Sequence, residues 1–123
     1  MRKRVGRVSS ANIEVDHLLS LVFIFTILCH TFACLWFLLA KLQDFDESTW
    51  VVRYGYLDSP IREQYLAGLY FIVTTISTVG YGDISSQSPW EQLFCLPLLV
   101  VGVIAYSVAI SSIAGVMEAS TRK

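Results

Sequence analysis

The stretch that decides the fold reads Thr74-Thr75-Ile76-Ser77-Thr78-Val79-Gly80-Tyr81-Gly82-Asp83. It lies between two apolar segments, residues 18–40 and residues 92–117, that contain no Asp, Glu, Lys or Arg. Carbonyls along an ordinary strand alternate in direction, so turning them all to one side requires unusual dihedrals, which glycines at 80 and 82 permit. A ring of carbonyl oxygens can replace the water shell of a dehydrating cation. Taken alone, two glycines framing a tyrosine would indicate an ordinary glycine turn. Placed between two apolar segments, they also permit a strand whose carbonyls could receive a cation.

The two apolar segments predict helices that cross a membrane. They contain 23 and 26 residues, and at about 1.5 Å per residue each can cross a hydrocarbon layer about 30 Å thick. Only 15% of the 123 residues are charged, against roughly 25% in soluble domains. A chain this short cannot bury two such helices in a soluble core. We therefore expect an all-α membrane protein with two transmembrane helices.

A third apolar segment, residues 60–76, is too short and too polar at its start to span. We expect Ser59 to cap this helix and Pro60 to occupy its first position. A helix that enters the membrane and returns is tolerated only beside protein or a water-filled cavity, which points to a pore. The expected pore domain covers residues 18–117. The predicted segments are a juxtamembrane segment 1–17, outer helix 18–40, outer loop 41–59, pore helix 60–76, filter 78–82, inner helix 92–117 and tail 118–123.

The charges predict an orientation. Six of the nine basic residues lie in the two tails, so both termini should face the cytoplasm. The connection 41–91 carries three basic and seven acidic residues, a net −4 that would concentrate cations at the outer face. We expect most of the aromatic residues near the two interfaces to be ordinary interfacial anchors. These are Trp36, Phe37, Trp50, Tyr54, Tyr56 and Trp90.

The run Thr78–Asp83, after a short helix and between two spans, resembles the signature of potassium channels. That resemblance implies a C4 homotetramer in a lipid bilayer, in which oxygens of Thr78, Val79, Gly80 and Tyr81 bind K⁺ and Gly82 completes the filter. Tyr70 and Phe71 would pack near Tyr81. Thr74, Thr75 and Asp83 would support the filter. Thr74 stands where simple bacterial potassium channels have a carboxylate that pairs with the Asp after the filter, so Asp83 should bond to Tyr70 or to water instead.

The inner helix carries the expected gate. Gly102 lies 22 residues after Gly80, where potassium channels place a hinge glycine, and a close helix–helix contact is the alternative. The stripe of Tyr106, Ile110, Ile113 and Met117 would face the pore axis and could close it by dewetting, although part of it could face the first span.

Residues 102–110, 65–75 and 30–36 resemble ether-à-go-go and plant inward-rectifying channels, the family with cyclic-nucleotide-binding domains. The similarity covers about residues 17–117 and departs at Ser111-Ser112, where Gly-Asn is usual. Family members carry a voltage sensor and a cytoplasmic domain, so the chain is either a pore-only protein or the pore portion of a longer one. Further channel domains or regulatory subunits are then possible partners, and the plasma membrane is the expected location.

Other classes of function find no support in the sequence. We expect His30 to be a neutral imidazole bonded to a neighbouring helix, and Cys29, Cys34 and Cys95 to be free thiols. There is no nucleophile–base constellation, no phosphate loop and no basic surface for nucleic acid, so we expect no enzyme and no cofactor beyond permeant potassium ions. The alternative function is a non-conducting structural or regulatory membrane subunit with an inherited pore fold.

Overall fold

Four helices make up the chain in the computed structural model, which describes the backbone of residues 2–121 and the side chains of residues 12–121. They are α1 (Arg2–Leu42), α2 (Trp50–Arg53), α3 (Ile61–Ile76) and α4 (Pro89–Thr121). Within the described residues no β-sheet pairing is present, and the word strand is used below only for the single unpaired segment 78–82. The long helix α1 packs against both α3 and α4, and the short α3 lies against α4. The basic residues of the two tails, on which the predicted orientation depends, lie outside the described side chains.

Two helices are long and apolar enough to cross a membrane, Asn12–Leu42 and Pro89–Thr121. In a soluble protein such helices would form the core, but only 11% and 17% of their most apolar windows are buried here. The remaining apolar surface needs lipid or other chains to cover it. The expected fold class, an all-α membrane protein with two spanning helices, is confirmed.

The core is aromatic and lies where α1, α2 and α3 meet the start of α4. Trp36 stacks on Trp50 with ring centroids 5.8 Å apart and on Phe71 at 4.5 Å. The indole N–H of Trp50 donates to the carbonyl of Trp36 at 3.2 Å, which ties α2 to α1. Both tryptophans are fully buried. These two are therefore exceptions among the six predicted anchors, because the loop after α1 folds Trp50 back onto the helix. Trp90, by contrast, is 62% exposed.

Helix α3 begins one residue later than predicted. Pro60 has φ −57° and ψ 150°, an extended conformation outside the helix, and is itself the N-cap. The cap position has no side-chain hydrogen bond, so Ser59 does not cap the helix. Gln64 lies one turn into the helix and is buried. Its side-chain Nε2 donates hydrogen bonds to the backbone carbonyls of Tyr56 and Leu57. The loop is therefore held to α3 from inside the helix rather than at its cap.

Helix α4 begins with a capping box that extends it beyond the predicted start at residue 92. The amide of Glu91 donates to Ser88 Oγ at 3.2 Å, and the amide of Ser88 lies 3.4 Å from Glu91 Oε1. Pro89 occupies the first helical position, where its missing N–H costs nothing. The predicted range 92–117 thus corresponds to Pro89–Thr121.

Candidate functional site at the end of helix α3

The candidate site begins where α3 ends. Hydroxyls of the last turns bond back into their own helix: Thr75 Oγ1 donates to the Phe71 carbonyl at 2.7 Å and Ser77 Oγ to the Val73 carbonyl at 2.6 Å. The amide of Gly80 then donates to the carbonyl of Thr74 at 3.0 Å, which folds the next residues against the helix end. The negative end of the helix dipole therefore lies beside the strand and favours a cation there.

The strand 78–82 has an alternating backbone. Thr78, Gly80 and Gly82 have φ of 63°, 58° and 77°, all left-handed, and the residues between them do not. In an ordinary strand successive carbonyls point to opposite sides. A left-handed residue at every second position rotates alternate peptide planes, so that successive carbonyls can point to the same side. No atom lies within 4 Å of a Cβ built at either glycine, so the φ angle, rather than space within the chain, requires glycine. Thr78 adopts this angle despite its β-branch, which is a strained conformation.

Side chains of the strand are open in the single chain. Val79 is 52% exposed and Tyr81 is 70% exposed. Tyr81 stacks parallel to Tyr70, with centroids 6.5 Å apart and planes 2° apart. Phe71 does not join this stack, because its ring lies in the core against Trp36. The predicted support of Tyr81 thus comes from Tyr70 alone among the two aromatic residues of α3.

Asp83, directly after the strand, interacts with two groups of its own chain. Its Oδ1 accepts a hydrogen bond from the amide of Ile84 at 3.1 Å. Its carboxylate also interacts with the Tyr70 hydroxyl, and this raises the pKa of that phenol above its ordinary value. Thr74, at the position of the missing carboxylate, turns its hydroxyl back to the Phe71 carbonyl at 3.0 Å. The sequence analysis offered Tyr70 or water as the partner of Asp83, and the structure brings Asp83 to Tyr70.

Residues predicted for the gate lie along one face of α4. Tyr106, Ile110, Ile113 and Met117 are all exposed in the single chain. The groove against α1 is lined from α4 by Ala105, Val108 and Ala109 instead. The stripe therefore does not face α1 and is free to face other chains or a pore.

Gly102, the hinge candidate, is in close contact with the end of α3. A Cβ at this position would lie 3.1 Å from the Cα of Ile76 and 3.5 Å from its carbonyl oxygen. The helix continues through it from Pro89 to Thr121. The close-contact alternative describes what the structure shows at Gly102, and its role as a hinge stays a prediction.

A buried ion pair near the strand was missed by sequence reasoning. Arg53 Nη1 lies 3.4 Å from Glu91 Oε1, and Glu91 is 1% exposed. Glu91 had been counted with the acids of the outer face, but it is buried and neutralised by Arg53. Removing one acid and one base leaves the predicted outer charge of −4 unchanged. The signal available in the sequence was Ser88-Pro89-Trp90-Glu91, a capping box followed by an apolar run.

One polar side chain of the outer helix and the three cysteines of the two long helices were also predicted from the sequence. His30 Nδ1 lies 2.6 Å from the hydroxyl of Tyr65 on α3, so the imidazole is bonded to a neighbouring helix. Cys29, Cys34 and Cys95 are free thiols. Within the described part of the chain, no group of three His, Cys, Asp or Glu residues could hold a metal ion.

Two candidate membrane spans, a short helix between them and a left-handed glycine strand at its end define the pore domain of a channel. The ion channel family matches residues 17–119 of this sequence. The chain therefore belongs to the ion channel family and is a membrane protein.

Similar proteins include potassium channels of animals and plants. Voltage-gated delayed rectifier potassium channel KCNH8 of Mus musculus is 25% identical over 116 residues, covering 80% of this chain and 10% of its own length. Potassium channel AKT3 of Oryza sativa is 33% identical over 81 residues, covering 63% and 9%. KCNH1 of Rattus norvegicus is 24% identical over 147 residues, covering 94% and 15%. The chain thus spans about a tenth of the length of these relatives, in agreement with the predicted family.

Proposed function

We propose that the chain is the pore-forming subunit of a potassium-selective channel that conducts K⁺ passively. The observation that carries this proposal is the left-handed φ at Thr78, Gly80 and Gly82, at the end of a short helix between two membrane spans. That backbone allows carbonyls to line one side of the strand, and a dehydrated cation needs such oxygens. Ion sites would be formed by the oxygens of Thr78, Val79, Gly80 and Tyr81, with no cofactor other than the permeant ion.

A single strand cannot encircle an ion, so the proposal includes a tetramer of identical subunits around a four-fold axis. The exposure of the filter side chains supports this part of the proposal. Val79 and Tyr81 are 52% and 70% exposed, and a strand with so little packing needs neighbours to keep a fixed diameter. Tyr106, Ile110, Ile113 and Met117 would then face the axis below the filter and form the gate.

The predicted topology completes the proposal. Both termini would face the cytoplasm, and the plasma membrane is the proposed location. The outer loop between α1 and α3 would carry its acids to the outer face, where they raise the local concentration of cations. The relatives named as voltage-gated are matched over only 10% to 15% of their own length, so the proposal concerns the pore domain alone.

The experiment is cation flux through liposomes that contain the purified protein. We expect potassium flux that barium blocks and sodium does not replace. Gly80→Ala should abolish it, because alanine at a φ of 58° costs about 1 kcal/mol or more and distorts the carbonyl ring.

The matched control is Gly55→Ala, in the outer loop. Gly55 also has a left-handed φ, 77°, and nothing within 4 Å of a built Cβ, so it imposes a similar strain away from the filter. Normal initial flux is expected from this variant, because Gly55 lies outside the filter; the variant is compared at the start of the measurement only. Equal sodium and potassium permeation in the unmodified protein, or full flux in Gly80→Ala, would contradict the proposal. A single copy rather than a four-chain species after cross-linking would favour the non-conducting subunit.

A further inference from the structure

The segment that follows the strand is held at Ser85, two residues after Asp83. The Ser85 carbonyl accepts a hydrogen bond from Arg53 Nη2. Its amide donates to the hydroxyl of Tyr54 at 3.0 Å, and its own hydroxyl lies 3.2 Å from the same oxygen. All three polar groups of Ser85 therefore bond to consecutive residues at the end of α2.

Arg53 is in turn fixed from several sides. Its Nη1 donates to the Ser48 carbonyl at 2.6 Å and to Glu91 Oε1 at 3.4 Å, and its guanidinium carbon lies 4.9 Å from the ring centre of Tyr54. A planar guanidinium can serve several acceptors at once, because its donors form a rigid fork. Arg53 thus joins the outer loop, the segment after the filter and the start of α4.

The phenol of Tyr54 is part of the same arrangement. Burial raises its pKa, but the hydrogen bonds of Ser85 and the neighbouring charge of Arg53 outweigh this, so its pKa lies below the ordinary value. Groups that stabilise the phenolate hold the oxygen firmly as an acceptor for the Ser85 amide.

Glu91, the ion-pair partner of Arg53, is also held in place, but its burial leaves polar atoms without hydrogen bonds. Glu91 is 1% exposed and also serves in the capping box of α4, yet its Oε2 and Arg53 Nε have no hydrogen-bond partner in the described part of the chain. A buried ion pair with unsatisfied atoms is a poor source of stability compared with apolar packing. A buried pair of this kind can instead fix the position of the groups that it contacts.

The pore helix offers little support of its own at this place. Thr74, where a carboxylate could have reached the segment after the filter, bonds to its own helix instead. From α3, Tyr70 interacts with Asp83 at the start of this segment. The remaining polar connection to residues 84–86 comes from Arg53 and Tyr54, with Ser86 contacting the thiol of Cys95.

We propose that Arg53, held by Glu91, is a positioning residue that fixes the outer end of the filter through the backbone of Ser85. This inference rests on the proposed function. Ser85 lies only three positions after Gly82, so a displaced Ser85 shifts the outer carbonyls of the filter. In this chain the brace comes from outside the pore helix and replaces the carboxylate absent at Thr74.

The test measures how long potassium flux persists in the reconstituted full chain, at low and high external potassium. We expect flux in Arg53→Gln to decay about tenfold faster, since a hydrogen bond from a charged group contributes about 1.5–3 kcal/mol. High potassium should slow the decay, because an ion bound to the filter stabilises its conducting form by mass action. A purely structural role would lower the yield of assembled protein without this dependence on potassium.

Three further variants sharpen the test. Arg53→Lys keeps the charge beside Glu91 but loses the fork, so it should recover part of the persistence. Tyr54→Phe removes only the hydroxyl that binds Ser85 and should accelerate decay by a smaller factor. Arg62→Gln, which changes an exposed arginine on α3, should behave as the unmodified protein.

The outcomes separate the two proposals. If the unmodified chain shows no potassium flux, the proposed function itself is contradicted. Normal flux in the unmodified chain together with unchanged decay in Arg53→Gln would overturn the brace alone. If Arg53→Gln does not assemble, Tyr54→Phe decides: accelerated, potassium-sensitive decay supports the brace, and unchanged decay overturns it.

Discussion

The outer and inner halves of the molecule use the same two long helices but are held together in different ways. Every buried residue of the described core lies between Cys29 and Gly102 in the chain, where α2, α3 and the stacked tryptophans join the two spans. Residues 12–28 of α1 and 103–121 of α4 contain no buried residue. The outer half therefore completes its packing within one chain, whereas the inner half leaves it to lipid or to other chains.

This difference indicates how work is divided in a small pore domain. A filter must keep its oxygens at fixed positions, which a dense core behind it provides. A gate must move, and helices with few contacts between them can do so at small cost. In this chain, the close contact of Gly102 with Ile76 marks the boundary between the two halves.

The largest loss of stability is expected from a substitution in the aromatic core of the outer half. Trp50→Ala removes a fully buried ring that stacks on Trp36 and donates to its carbonyl, and should lower the free energy of unfolding by about 3–5 kcal/mol. Thermal unfolding of the purified protein in detergent measures this. Trp90→Ala is the control, because that ring is 62% exposed. Equal losses in both variants would mean that the aromatic core does not stabilise the outer half more than its surface does.

A smaller effect is expected at the boundary. Gly102→Ala places a methyl group 3.1 Å from the Cα of Ile76, so α4 must shift at a cost of about 1–3 kcal/mol. Gly115→Ala lies in the inner half with nothing within 4 Å and should be nearly neutral. Flux measurements on the same pair show whether the contact also affects conduction. Stability in Gly102→Ala equal to that of Gly115→Ala would contradict the close approach.

The smallest effect concerns a single hydrogen bond between α1 and α3. Tyr65→Phe keeps the ring and removes the hydroxyl that lies 2.6 Å from His30, which should cost about 0.6 kcal/mol, typical of such bonds within membranes. Tyr56→Phe is the control, because its hydroxyl makes no hydrogen bond in the described part of the chain. A loss above that of Gly102→Ala would show that this bond, rather than packing, joins the two helices.

Much of the fold could be read from local patterns. Stretches without charge identify spans whatever their neighbours are, since hydrocarbon excludes charge at any position. The glycines at 80 and 82 could be predicted to take unusual dihedrals for the same local reason, and the structure has them left-handed. The resemblance to potassium channels offered Tyr70 or water as the partner of Asp83, and in the structure Tyr70 and Asp83 interact.

Other features could not be predicted because they join residues far apart in sequence. The burial of Trp36 and Trp50 depends on a loop that folds back, and aromatic residues near a span end are equally typical of the interface. The Arg53–Glu91 pair spans 38 positions, and neither charge carries a local mark of its partner. Phe71 and Tyr70 are neighbours in sequence, yet helical geometry sends one ring into the core and the other to Tyr81.

The sequence alone determined the two spans, the short helix between them and the glycine strand, because each depends on the chemistry of a contiguous segment. Only the tertiary structure decided which charges are buried, which aromatic residues form the core and what holds the chain after the filter. Those outcomes depend on how α2 packs against α1 and on where it brings Arg53 and Tyr54 beside Ser85. Composition specifies how apolar a segment is, whereas packing specifies which atoms meet.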